Sequence, residues 1–109
     1  MKSNNRYLDI ASKVYEYVKI IPKGKVSTYG QIAQKINQKY SLKINPRYVG
    51  LILHKNANEN EIPCHRVVNV KGKIAENFSF GGWEGQKRKL LQEGVRFRDK
   101  KHVNRSSFL

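Results

Sequence analysis

Tyr7, Ala11, Val14, Val18 and Ile21 recur at the spacing of one helix face, with Leu8 and Tyr15 beside them. The spacing predicts an amphipathic helix stopped at Pro22, followed by a turn at Lys23-Gly24-Lys25. A short extended piece, Val26-Ser27, leads into Thr28-x-x-Gln31, the signature of a capping box, and Ile32, Ala33 and Ile36 mark the buried face of a second helix. After a polar connector, Asn45 suits an N-cap and Pro46 the first helical position, where no N–H is needed. Val49, Ile52 and Leu53 give the third helix its inner face, and it fades near Asn56. Asn58 to Glu61 read as a loop, Ile62 to Arg66 as an extended segment, and Val67–Val70, Lys71-Gly72 and Lys73-Ile74 as a small β-hairpin. Phe78 to Gly82 form an aromatic and glycine loop. A last helix is predicted over Trp83–Glu93, closed by Gly94, before Val95-Arg96-Phe97 and a basic tail over about 98–109.

Two successive short helices and a hairpin are the plan of a winged helix-turn-helix domain: mainly α, with a small β-hairpin. The connector is longer than the tight turn of the commonest version. At 109 residues the chain has room for one such domain, 1–109, and not for two. Charge adds direction: 22 Lys+Arg against 8 Asp+Glu leave a net +14, which favours a polyanionic partner, nucleic acid before a membrane surface. A solubility device or a lysine-rich genome is the plainer explanation. No apolar run approaches a membrane span, and Met1 to Ile10 lack the continuous apolar stretch of a secretory signal. One cysteine excludes an internal disulfide, and the 3 histidines lack metal-ligand spacing, so a cytoplasmic or nuclear protein without a metal is expected.

Cys64 is the residue with the most open chemistry. A lone cysteine is usually an inert, buried small side chain. Here Pro63 fixes the backbone before it, while His65, Arg66 and a positive surface favour the thiolate that attacks. In an extended segment His65 would face the other way, so its help would need a water or a backbone turn.

Four blocks then align in order: Ile21-Pro22-x-Gly24-x-Val26-x-x-Tyr29-Gly30-Gln31-Ile32-Ala33, Arg47-Tyr48-Val49-Gly50, Ile62-Pro63-Cys64-His65-Arg66-Val67-Val68, and Leu90-Leu91-x-Glu93-Gly94. Together they resemble the O6-alkylguanine-DNA alkyltransferase family over roughly residues 7 to 97. The resemblance implies a monomer that binds duplex DNA through the minor groove, flips an O6-alkylated guanine and moves the alkyl group irreversibly to Cys64. One molecule repairs one base, and no cofactor is needed.

It also implies a role for each matching residue. Cys64 is the expected acceptor, His65 its base through a water, and Glu93 the carboxylate behind His65. Such a relay leads one to expect a thiol that titrates below its ordinary range. Arg47 matches the arginine that fills the hole left by the flipped base, and Tyr29 the tyrosine that pushes on the neighbouring phosphate. Ser27, Thr28 and Arg66 complete the expected DNA-facing set. Asn56 matches the asparagine that ties the recognition helix to the active-site turn, although Ala57 follows it where the family usually has proline. Ser79, Gly81 and Gly82 are the expected pocket supports.

Two departures open an alternative. The segment between Gly72 and Gly81-Gly82 is longer than usual and carries Phe78 and Phe80, so the hydroxyl that helps protonate the departing oxygen is missing; Ser79 or its N–H is the substitute the sequence offers. The short frame and the ending after Glu93-Gly94 are similar to alkyltransferase-like proteins, which commonly carry tryptophan where this chain has Cys64 and do not transfer the alkyl group. The alternative is a lesion-recognition protein that flags alkylguanine for excision-repair proteins. A winged-helix regulator with an incidental cysteine is the third reading.

Overall fold

A computed structural model describes residues 6–109; residues 1–5, part of the stretch read for a leader, lie outside it. Helix α1 spans Arg6–Lys19 and buries Ile10, Ala11, Val14 and Val18. Its last turn tightens, with Ile20 N–H on the Tyr17 carbonyl and Ile21 N–H on that of Val18, before Pro22 ends it. Strand β1 is Ser27–Thr28, and helix α2 is Tyr29–Tyr40. The expected capping box is present: Gln31 N–H donates to Thr28 Oγ1 at 3.0 Å, and Thr28 N–H to Gln31 Oε1 at 3.3 Å. The long connector is held by one side chain: Asn37 donates to the Ile44 carbonyl and accepts from Ile44 N–H, both at 2.9 Å. Helix α3, Pro46–His54, starts on its Asn45 cap and packs Val49, Ile52 and Leu53 against α1 and α2.

The fold is mainly helical with one small sheet, but that sheet is not the expected hairpin. Strand β2, Val67–Val68, pairs in parallel with β1, Ser27 opposite Val67 and Thr28 opposite Val68. The turn after it does form: Asn69 Oδ1 accepts from Lys71 and Lys73 N–H, and Gly72 takes a φ of 86°. The ladder then stops after one bond, Asn69 N–H to the Lys73 carbonyl, because Ile74 N–H goes to Lys101 instead. The segment read as a basic tail is held in the fold. Lys73 bridges His102, Phe97 bridges Val103, and Phe108 runs parallel beside Val26.

Helix α4 is Gly82–Gln92. Val95 N–H reaches the Leu90 carbonyl and Gly94 N–H that of Leu91, with Gly94 at φ 87°. That is a Schellman motif, and it leaves Glu93 at the C-cap. Two apolar clusters result: one of α1, α2 and α3 with Ile62, Cys64, Val67 and Phe78, the other of Val26, Val68, Ile74, Leu90, Val95 and Val103. Among the described residues no helix is long and apolar enough to cross a membrane.

Candidate active site

Pro63 shapes the turn that carries the cysteine. Its φ of −76° and ψ of 67° close an inverse γ-turn, with Cys64 N–H on the Ile62 carbonyl at 2.7 Å. Cys64–Arg66 then coil into one 3₁₀ turn rather than the extended segment expected, so Cys64 and His65 do not simply alternate faces. Because β2 follows at once and lies against β1, this turn sits beside the start of α2. Asn56, just past α3, ties it down: its Nδ2 donates to the Ile62 carbonyl at 3.1 Å and to Cys64 Sγ at 3.5 Å. Ala57 in place of proline leaves this bridge intact.

Cys64 Sγ lies at the floor of a cleft of about 480 Å³. Tyr29, Arg47, Gly50, Leu51 and Leu53 form its helical wall, and Ala75, Asn77, Phe78 and Ser79 the opposite one. Tyr29 is half-buried, whereas Arg47, in the first turn of α3, is exposed at the rim. Burial pushes the Cys64 thiol upward, more than the Asn56 hydrogen bond brings it down. The thiol is thus protonated at neutral pH, contrary to the lowered value expected from sequence.

Behind the cysteine lies a largely buried ionic group. His65 Nε2 donates to Glu93 Oε2 at 3.0 Å. Arg66 forks onto the same carboxylate, Nε to Oε1 at 2.9 Å and Nη2 to Oε2 at 2.7 Å, while its Nη1 donates to the Ile21 carbonyl at 2.7 Å. Burial alone would push Glu93 up, but the bonds from Arg66 and His65 outweigh it and hold the carboxyl below its ordinary value. For His65, burial outweighs the pull of Glu93, so the imidazole is held neutral. A carboxylate can only accept, so the single proton of neutral His65 is on Nε2 and Nδ1 keeps a lone pair. That Nδ1 is buried and makes no hydrogen bond among the described residues. The arrangement sets a protonated thiol, a neutral imidazole with a free lone pair and a fixed carboxylate around one turn.

The remaining expected residues fall elsewhere. The sequence points Arg66 to the DNA surface; the structure instead tucks its guanidinium between Glu93 and the Ile21 carbonyl. Ser27 and Thr28 are buried too, their hydroxyls committed to Gln31 in the α2 cap. Gly81 and Gly82, with φ of 102° and 65°, make the turn into α4 and do not line the cleft. Ser79 does line it, and its hydroxyl donates to the His54 carbonyl at 2.7 Å.

Residues 9–95 match the DNA binding domain of the 6-O-methylguanine DNA methyltransferase family. The chain belongs to that family. It is 39% identical over 84 residues to alkyltransferase-like protein 1 of Schizosaccharomyces pombe, covering 77% of this chain and 74% of that one. It is 46% identical over 87 residues to a methylated-DNA–protein-cysteine methyltransferase of Saccharolobus islandicus, covering 76% of this chain but 49% of that one. The chain thus spans about half the length of this methyltransferase relative. In structure it resembles S. pombe Atl1 in complex with damaged DNA containing O6-carboxymethylguanine, with a TM-score of 0.79 at 31% identity over 100% of this chain and 98% of the other. Mycobacterium tuberculosis OGT in complex with DNA aligns at a TM-score of 0.58 and 32% identity, over 78% of this chain and 49% of the other.

Within this alkyltransferase-family domain two supporting residues went unnoticed in the sequence. Gln86, fully buried on α4, donates to the carbonyls of His65 and Val67, each at 3.1 Å, and accepts from Ala75 N–H at 2.8 Å. One amide thereby sets the cysteine turn, β2 and the far wall of the cleft. Gly85 lets the loop cross α4, since a Cβ there would collide with the Phe80 carbonyl. A glutamine inside an amphipathic helix carries no signal by itself; a glycine one turn into a helix is the cue that was available.

Proposed function

We propose that the protein binds duplex DNA, receives an O6-alkylated guanine in the cleft and transfers the alkyl group to Cys64. The observation that supports this most directly is the floor of the cleft: a thiol held by Asn56, with a neutral histidine and a buried carboxylate behind it. Because burial keeps the thiol protonated, attack needs a base at the moment of reaction. His65 Nδ1 takes the thiol proton, directly or through water, and Glu93, itself fixed by Arg66, stabilises the resulting imidazolium. The sulfur lone pair forms the S–C bond, the C–O6 bond breaks, and the guanine leaves with that electron pair and takes up a proton. The product is a thioether that nothing in the site can reverse, so each molecule acts once. In this reading Tyr29, in the helical wall, presses on the backbone and Arg47, at the rim, fills the stack, while the net charge of +14 supplies sequence-independent affinity.

Intact-protein mass spectrometry after mixing with an O6-methylguanine duplex tests the proposal. One added methyl per molecule is expected, on the peptide holding Cys64. Cys64→Ala should bind the lesion duplex yet gain nothing. An unmodified wild type after long incubation with excess lesion DNA removes the transfer reading.

A second reading has its own support. The whole length, including the segment after residue 95, matches the fold of S. pombe Atl1 bound to alkylated DNA, and phenylalanines stand at 78 and 80. Under that reading the protein binds alkylguanine and hands it to excision repair. Lesion-selective binding without methyl gain is the result that selects it.

A further inference from the structure

Breaking the C–O6 bond leaves an electron pair on the purine, and a proton must reach the base as it departs. The cleft that would hold that base is lined by few groups able to deliver one. Cys64 is the nucleophile, and burial, with the nearby cysteine adding to it, pushes the Tyr29 phenol above its ordinary value. An arginine guanidinium does not release its proton, which sets Arg47 aside. Phe78 fills the loop wall with a ring that carries no hydroxyl. Imidazole is the side chain that both gives and takes a proton near neutrality, and His54 is the histidine of the cleft lining.

His54 is also held in a defined way. It is the last residue of α3, and Ser79 crosses from the opposite wall to meet it. Ser79 Oγ donates its hydrogen to the His54 carbonyl at 2.7 Å and lies 3.2 Å from His54 Nδ1. With that hydrogen committed, Oγ can only accept from the ring, so Nδ1 carries a proton and Nε2 is the atom left to exchange protons with a ligand. The first bond anchors Ser79 to the end of α3 and the second fixes the ring, and together they hold Ser79 of the loop against α3.

We propose that His54, braced by Ser79, delivers a proton through Nε2 to the departing guanine. The inference rests on the transfer reading above. Electron and proton balance closes with His54 entering the step as the imidazolium: Nε2 first takes a proton from solvent, gives it to the departing guanine and returns to the neutral Nδ1–H form, while the thiol proton passes through His65 to solvent. Ser79 is a positioning residue in this scheme.

The test is single-turnover methyl transfer by the wild type, His54→Ala, His54→Gln and Ser79→Ala at saturating DNA, with duplex affinity measured separately. His54→Ala and His54→Gln should slow transfer from O6-methylguanine on the order of 10²-fold, the usual contribution of a placed acid, with affinity within about twofold. Ser79→Ala should cost less. Added imidazole should restore part of the His54→Ala rate, which a merely structural histidine would not allow. O6-methyl-8-azaguanine leaves as a less basic anion, so its transfer should lose much less in both His54 variants. Equal losses on the two bases, no imidazole rescue, or variants as fast as the wild type overturn the role of His54 while leaving transfer to Cys64 standing. A wild type that transfers nothing overturns both.

Discussion

The two apolar clusters are assembled by different rules. The first takes most of its members from α1, α2 and α3, each of which repeats its buried positions every three or four residues. The second joins Val26, Val68, Ile74, Leu90, Val95 and Val103, which share no period and meet through single bridges and one Schellman turn. The 3₁₀ turn Cys64–Arg66 is where they meet. Cys64 packs in the helical cluster, whereas the carbonyl of His65 is held by Gln86 of α4 and its ring by Glu93 at the end of that helix. So the cleft is largely a product of local helix packing. The proton chemistry behind it depends on the part of the chain folded by long-range contacts.

The junction should be the most sensitive place. Arg66→Ala removes the fork that Glu93 accepts and the bond to the Ile21 carbonyl of the helical half. Glu93 would keep His65 but lose its main countercharge while remaining mostly buried, its side chain 14% exposed. Loss of one partner of such a pair costs about 3–5 kcal/mol, and urea unfolding should show it. Arg66→Met, which keeps the length, should lose nearly as much, because the carboxylate is still stranded. A loss below about 1 kcal/mol in both would mean that the two halves are joined by packing alone and that the ion pair is incidental.

Gly85→Ala tests the loop wall of the cleft without changing any residue of α1, α2 or α3. The added methyl meets the Phe80 carbonyl, so the loop holding Phe78 and Ser79 must shift. Overpacking of this kind costs about 1–3 kcal/mol. Methyl transfer should fall more steeply than affinity for undamaged duplex, since Tyr29 and Arg47 stand on the helical wall. A fall in both by the same factor would show that the loop wall serves DNA binding as much as transfer.

Legibility followed the same division. The capping box at Thr28, the Asn45-Pro46 start and the Gly94 stop were readable because each is a local pattern with one physical meaning. The hairpin was misread because an Asn69-to-Gly72 turn looks the same whether its second arm pairs with the first or, as here, with Lys101 and His102. Ser27, Thr28 and Arg66 went to the DNA surface because polarity suggests exposure. Gln31, Glu93 and the Ile21 carbonyl, all distant or unremarkable in sequence, bury them instead. The thiol was expected to titrate low from its basic neighbours, but Arg66 faces Glu93, and burial decides the direction.

The smallest effect, and the one that isolates the junction, is the pH dependence of stability. Burial, opposed but not overcome by Glu93, holds folded His65 below its ordinary value of 6.5. Just below that pH the unfolded chain takes up a proton that the folded chain refuses, so stability falls as the solution is acidified. Glu93 acts in the same sense lower down: its folded value is below the ordinary 4.5, so its contribution is present above that pH and lost on further acidification. Cys64 acts oppositely. Burial raises its thiol, so above the ordinary 9.0 the unfolded chain gives up a proton that the folded chain keeps, and stability falls as pH rises. Urea midpoints from pH 5 to 10 should therefore pass through a maximum in the neutral range. His65→Gln should flatten the limb just below pH 6.5, and Cys64→Ser the alkaline one, each without altering the other. An acid limb that survives His65→Gln unchanged would show that burial leaves His65 unshifted, and one that steepens would show that folded His65 is protonated. In the steepened case His65 could not accept the thiol proton, and Cys64 would depend on the positive surface alone.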